Sequence, residues 1–92
     1  RKAGLSGDAH SALGMVYMQR DESAKAIEEF KKAISLMQNP ASQLYFRLGE
    51  VYETEGRTQE AIEAFARASE LGQGTVLKTL SDQRIEALNQ KK

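Results

Sequence analysis

Cysteine and tryptophan are absent from this sequence, and histidine and proline each occur only once. Without cysteine the chain can form neither a disulfide framework nor a thiolate metal site, although the redox compartment stays open. A single histidine cannot build a multi-histidine metal centre. The sequence also has no apolar run long enough for a membrane span and no recognisable signal peptide, so no membrane partner is expected.

An excess of charge of one sign is missing as well. Thirteen Lys and Arg residues balance thirteen Asp and Glu residues, giving a formal net charge of zero. Domains that bind nucleic acid are typically basic, so the balance argues against a nucleic-acid partner. With 40% hydrophobic residues in 92, the chain can form one small domain. Because it begins with Arg1, we expect an excised part of a longer protein, with the cytoplasm as the default compartment.

The second half of the sequence repeats the first. Gly14 and Gly49, for example, are 35 positions apart (49 − 14), and nine other pairs share this spacing. The recurring residues are His10, Leu13, Gly14, Val16, Tyr17, Ala26, Ile27, Phe30, Ala33 and Leu36, which return as Tyr45, Leu48, Gly49, Val51, Tyr52, Ala61, Ile62, Phe65, Ala68 and Leu71. Repeats of this length indicate stacked units that present surfaces rather than deep active sites, which favours a binding function.

Apolar residues within each unit recur every three or four positions, which is typical of amphipathic helices. Helices are predicted at about residues 7–20, 24–37, 41–55, 58–71 and 75–90. Asp21 and Gly56 suit the left-handed conformation that ends a helix, and Ser23 and Thr58 are predicted to cap the helices that follow. In the same way, Asn39-Pro40 is predicted to cap and open the third helix.

The order of these residues, an aromatic or histidine, then Leu-Gly, Tyr, Ala, Phe and Ala, resembles the tetratricopeptide repeat. The resemblance implies an all-α antiparallel helix-hairpin array, an α-solenoid, that acts as a non-catalytic protein-interaction module. One domain over residues 1–92 would then contain repeat 1 at 7–39, repeat 2 at 41–73 and a capping helix at 75–90. His10 replaces a bulky aromatic of the family, and Pro40 lies later than the family's proline.

Gly14 and Gly49 lie inside predicted helices, where glycine is unfavourable relative to alanine. We therefore expect a close approach of the partner helix at Ala26 and Ala61. Tyrosine and phenylalanine side chains would fill the space beside each contact. These motif residues are predicted to form the core.

The two ends of the array differ from its middle. The last helix is predicted to place one apolar face on the array, made of Val76, Leu77, Leu80, Ala87 and Leu88. At the front, Ala9, Leu13 and Val16 correspond to residues that should pack on a preceding helix. Upstream repeats, Leu5, a second copy of the chain or an exchanged helix could cover this face, so a homo-oligomer is one expectation.

Candidate catalytic groups are few. Asp8 and His10 are two positions apart and do not share a helical face. Gly72-Gln73-Gly74 lacks both the preceding strand and the following Lys-Ser/Thr of a phosphate-binding loop. The acidic residues of the second helices, including Glu29 and Glu63, are expected to face solvent. We predict no catalytic residue, no cofactor and no metal.

The surface predicted to bind a partner is a second stripe on the first helix of each unit. Its residues are Asp8, Ser11, Met15, Met18 and Gln19 in the first unit and Gln43, Phe46, Glu50, Glu53 and Thr54 in the second. Those predicted to contact the partner are Ser11, Met15, Met18, Gln19, Phe46, Glu50 and Glu53. The resemblance implies that these positions line a concave groove. Family members that clamp acidic tails carry basic residues there, whereas here only Arg47, at the margin, is basic.

Methionines adapt to varied apolar partners, an aromatic can anchor a partner, and glutamates favour a basic residue. We therefore predict that a peptide or helix of a partner protein lies along this groove, with Phe46 as the anchor. The alternative is a structural or self-associating piece of a longer superhelix whose groove is never occupied.

Overall fold

The computed structural model describes residues 6–90, which form five α-helices. Helix α1 spans Gly7–Gln19, α2 Ser23–Leu36, α3 Ser42–Thr54, α4 Thr58–Leu71 and α5 Val76–Gln90. No strand occurs among these described residues, and every predicted helix end lies within one residue of the observed end. The all-α prediction is confirmed.

The helices pair as hairpins. Helix α1 packs most extensively on α2 and α3 on α4, while α2 also packs on α3 and α4 on α5. Only three residues join the helices of each hairpin, so the chain reverses direction there and the two helices run antiparallel. The first helices of the hairpins, α1 and α3, face each other across an open cavity rather than packing together.

The turn within each hairpin has the same geometry in both repeats. Asp21 and Gly56 adopt left-handed conformations, with φ of 61° and 76°, as predicted. In each turn the next residue donates its backbone N–H to a tyrosine carbonyl at 2.9 Å, from Glu22 to Tyr17 and from Arg57 to Tyr52. The repeat is thus preserved in the backbone as well as in the sequence.

The predicted N-caps of the later helices are wrong. Ser23 and Thr58 are already the first helical residues, because a single residue after the left-handed position suffices to start the helix. At α3 the capping position is Ala41, whose extended backbone moves the start beyond Asn39-Pro40. Only α1 has a side-chain cap among the first four helices, formed by Ser6.

The helix glycines make room for phenylalanine rings. A Cβ atom on Gly14 would lie 2.7 Å from the ring of Phe30, and one on Gly49 would lie 2.8 Å from the ring of Phe65. Both phenylalanines are fully buried. The predicted close contact exists, and in each repeat the three atoms nearest to the added Cβ all belong to the phenylalanine ring.

The first hairpin has a polar contact between α1 and α2 that the second hairpin does not repeat. His10 Nδ1 lies 2.5 Å from Glu29 Oε1, and both side chains are about 15% exposed (15% and 14%). Hydrogen bonding to His10 holds the pKa of Glu29 below its usual value. Repeat 2 places Tyr45 and Ala64 at these two positions. The prediction that Glu29 faces solvent is wrong, because this histidine draws it inward.

Candidate peptide-binding groove

An open cavity of about 290 Å³ lies between α1 and α3. It is lined by Asp8, Ser11, Met15, Met37, Ala41, Gln43, Leu44 and Arg47. Asp8, Ser11, Met15 and Gln43 come from the predicted groove stripe, and the structure brings the three from α1 opposite α3. The sequence did not single out Met37 or Leu44, although the end of α2 and the start of α3 are adjacent in the chain. We call this cavity the open end of the groove.

The open end combines an apolar lining with hydrogen-bonding groups. Met15, Met37 and Leu44 supply the apolar surface. Arg47 reaches it too: its Nη1 donates to Glu50 Oε1 at 3.4 Å, while its buried Nε finds no hydrogen-bond partner among residues 6–90. The Nε atom has almost no accessible surface, but the side chain as a whole is 34% exposed, so its outer nitrogens can donate to an acceptor on a ligand.

Two other residues of the predicted stripe lie outside the open end. Met18 is partly buried and packs against the core. Gln19 is the last residue of α1 and is exposed. The usable surface of α1 is therefore shorter than predicted.

Phe46 is part of the core. Its side chain is only 8% exposed, and its ring meets the ring of Phe65 edge to face, with centroids 5.3 Å apart. The prediction that Phe46 is an exposed anchor for a partner is therefore wrong. Its burial follows from packing between α3, α4 and α5, which local periodicity does not reveal.

Arg84 of α5 fills the part of the groove next to Phe46. Its Nη1 donates to Glu53 Oε1 at 2.5 Å and its Nη2 to Glu50 Oε2 at 3.3 Å. Its guanidinium carbon lies 5.8 Å from the ring centroid of Phe46 and 5.7 Å from that of Phe65. The chain itself thus supplies the basic residue that was expected from a partner. We call this region, defined by Phe46, Glu50, Glu53 and Arg84, the closed end of the groove.

The orientation of α5 explains why Arg84 reaches the groove. The residues of α5 that pack on the core are Leu77, Ser81, Ile85 and Leu88. Val76 and Leu80, predicted to share the packed face, are 67% and 39% exposed. Of the predicted face, Leu77 and Leu88 do pack on the core, whereas Ala87 is also exposed. Helix α5 is therefore rotated about its axis by roughly one residue step of 100° from the predicted orientation.

The front face of α1 is uncovered by the described residues. Val16 is 44% exposed, whereas its counterpart Val51 is 2% exposed, because α2 covers α3. Ala9 and Leu13 are likewise only partly buried. Leu5, which was expected to help cover this face, lies outside the described residues.

Metal-binding groups and membrane-spanning helices are absent from the described residues 6–90. Within this range no group of three or more His, Cys, Asp or Glu side chains could hold a metal ion. Among the described helices, none has the length and apolar character needed to cross a membrane. Gly72 ends α4, and Gly74 has a φ of 82°, so the glycine-containing segment between α4 and α5 acts as a helix stop and turn.

Comparison with known proteins agrees with the two-hairpin architecture. A family model described as a tetratricopeptide repeat matches residues 5–74, a range that includes α1 to α4. The peroxisomal targeting signal receptor of Candida albicans is 31% identical over 70 residues, or 76% of this chain. The chain spans only 12% of the length of that receptor.

Proposed function

This chain belongs to the tetratricopeptide repeat family, and from that premise we propose that it binds a segment of a partner protein in the open end of its groove. Family membership and the similarity to a receptor support a general role as a protein-interaction module. The observation that carries this proposal is the cavity between α1 and α3, where apolar surface lies beside the partly exposed side chain of Arg47.

The cavity limits the chemistry of the ligand. Its volume of about 290 Å³ is at the lower end of the range for ligand pockets, so it suits one or two side chains rather than a whole helix. Met15, Met37 and Leu44 would receive an aliphatic or thioether side chain. A carbonyl or side-chain oxygen of the same segment would accept a hydrogen bond from Arg47.

Met15→Lys is expected to weaken binding of such a segment. Peptides selected from a displayed library on the unmodified chain would be titrated by calorimetry into the variant. We expect affinity to fall by at least about tenfold, because a lysine ammonium would have to enter an apolar pocket. Glu63→Ala changes an exposed residue of α4 and is the matched control. Loss of affinity in that control, with normal binding by Met15→Lys, would place the functional surface on the opposite face.

A second candidate function is self-association through the front face of α1, defined by Ala9, Leu13 and Val16. The difference in exposure between Val16 at 44% and Val51 at 2% favours it, since equivalent apolar positions are buried where a helix covers them. A second copy of the chain would supply the missing cover. The fragment would then be a structural unit rather than a receptor for a peptide.

Leu13→Asp is expected to abolish this association. The unmodified chain should show a mass by light scattering and a melting temperature that both rise with protein concentration, as binding to the folded state requires. Leu80→Asp, at a 39% exposed position on α5, should leave both unchanged. A mass that stays monomeric at every concentration, in the unmodified chain and in Leu13→Asp alike, would reject self-association.

A further inference from the structure

We propose that the closed end of the groove is a binding site for a guanidinium group, occupied in this structure by Arg84 and able to accept an arginine side chain of the partner in its place. This inference rests on the proposed function, because the partner is held by the open end. The ligand class is an arginine of a protein segment. Arg84 is its internal substitute.

The residues around Arg84 define this chemistry. Two carboxylates, from Glu50 and Glu53, receive separate nitrogens of one guanidinium group at 3.3 Å and 2.5 Å. Two aromatic rings lie within 6 Å of its central carbon, at 5.8 Å and 5.7 Å. A planar guanidinium can donate to two acceptors and contact ring faces at the same time, whereas a lysine ammonium lacks this geometry. The site is therefore selective for arginine.

Arg84 is held at this site but not enclosed by it. Its side chain is 39% exposed, compared with 21% for Glu50 and 28% for Glu53. Helix α5 is anchored independently, through Leu88, which is 3% exposed, and through the partly buried Leu77. Arg84 can therefore rotate into solvent while α5 stays in place, leaving two carboxylates beside an aromatic surface.

Glu50 connects the two ends of the groove. Its Oε1 accepts from Arg47, which lines the open cavity, and its Oε2 accepts from Arg84. A segment seated in the open cavity would have its next residues beside Glu50. An arginine there would compete with Arg84, which has the advantage of being tethered to the same chain. A free arginine lacks the anchorage needed to win this competition.

Removal of Arg84 should expose the site to a small probe. The probe is arginine amide, titrated into the full chain and followed by the amide resonances of Phe46, Glu50 and Glu53. In Arg84→Ala we expect saturable shifts with a dissociation constant at least about tenfold lower than in the unmodified chain. Adding Glu53→Gln to that variant should cost at least about fivefold of the gained affinity. Lysine amide should bind more weakly than arginine amide.

Arg57→Ala is the matched control. Arg57 also pairs with a carboxylate, that of Glu60, at 2.7 Å and 2.9 Å, and its guanidinium lies 5.0 Å from the ring centroid of Tyr52. That pair is exposed on a hairpin turn, away from the groove. Its removal should give no more binding of arginine amide than the unmodified chain shows.

Equal binding by the unmodified chain and Arg84→Ala would overturn the proposal, and so would an affinity that does not change when Glu53→Gln is added to Arg84→Ala. Arg84→Gln keeps part of the side chain and gives the same comparison if Arg84→Ala does not fold. Unfolding of both would also overturn the proposal, because Arg84 would then be indispensable rather than exchangeable. Arginine amide does not need the open cavity, so a failure here leaves the Met15→Lys test unaffected, and the converse also holds.

Discussion

Gly49→Leu is expected to lower the free energy of unfolding by about 2 kcal/mol or more, since overpacking a filled core costs about 1 to 3 kcal/mol. The first added atom, Cβ, would already lie 2.8 Å from the ring of Phe65, and three further carbons would follow it. Phe65 cannot yield easily, because it is fully buried and in edge-to-face contact with Phe46. The gain in helix propensity, under about 1 kcal/mol, does not offset this cost.

Urea-induced unfolding followed by circular dichroism measures this change. Ala66→Leu places the same side chain at an exposed position of α4 and should alter stability by less than about 0.5 kcal/mol. If Gly49→Leu were as stable as the unmodified chain, the glycine would not face Phe65. The packing of the two hairpins described above would then be wrong.

The helices were predictable because their signal is local and occurs twice. Apolar residues spaced by three and four positions, in a pattern that recurs after 35 residues, located the helix ends to within one residue. The need for glycine at Gly49 was also predictable, since an interior helix glycine implies a close neighbour. The identity of that neighbour depends on how α3 and α4 cross. In the structure the nearest atoms belong to the ring of Phe65.

The groove was predictable only where the repeat pattern is intact. Ser11 and Met15 line the cavity as expected, because α1 and α3 keep the repeat register. In α5 the pattern has decayed, and the more hydrophobic Leu80 is exposed while Ser81 is buried. The rotation of α5 about its axis that buries Ser81 also brings Arg84 onto the groove. Because the packed face of α5 was predicted incorrectly, the role of Arg84 in the groove was missed.

A signal for Arg84 does exist in the sequence. Arg84 lies 70 residues after Gly14 (84 − 14), at the position that corresponds to Gly14 and Gly49. An arginine side chain is too large for the close helix contact that glycine allows there. Of the two groove glutamates of α3, Glu50 also pairs with Arg47 at the margin, whereas the ion pair of Glu53 is with Arg84. The loss of the repeat pattern in α5 indicates that this helix has a different orientation. Opposite charge then suggests that Arg84 pairs with the glutamates of α3.

The groove has an open end at α1 and a closed end where α5 packs. Ser11 and Ser81 test this arrangement directly, since they occupy equivalent positions, 70 residues apart (81 − 11), in the first and last helices. Ser11 lines the open cavity, whereas Ser81 is fully buried against the core. The chain contains no cysteine, so one thiol can be introduced at either position without a competing site.

The measurement is the rate at which a thiol reagent modifies Ser11→Cys and Ser81→Cys in the folded chain, each divided by its rate in denaturant. We predict modification of Ser11→Cys within about tenfold of the denatured rate and slowing of Ser81→Cys by at least about 100-fold, because α5 must open before its thiol can react. Equal protection at the two positions would contradict this arrangement, because either Ser11 would not line an open cavity or α5 would not be packed over Ser81.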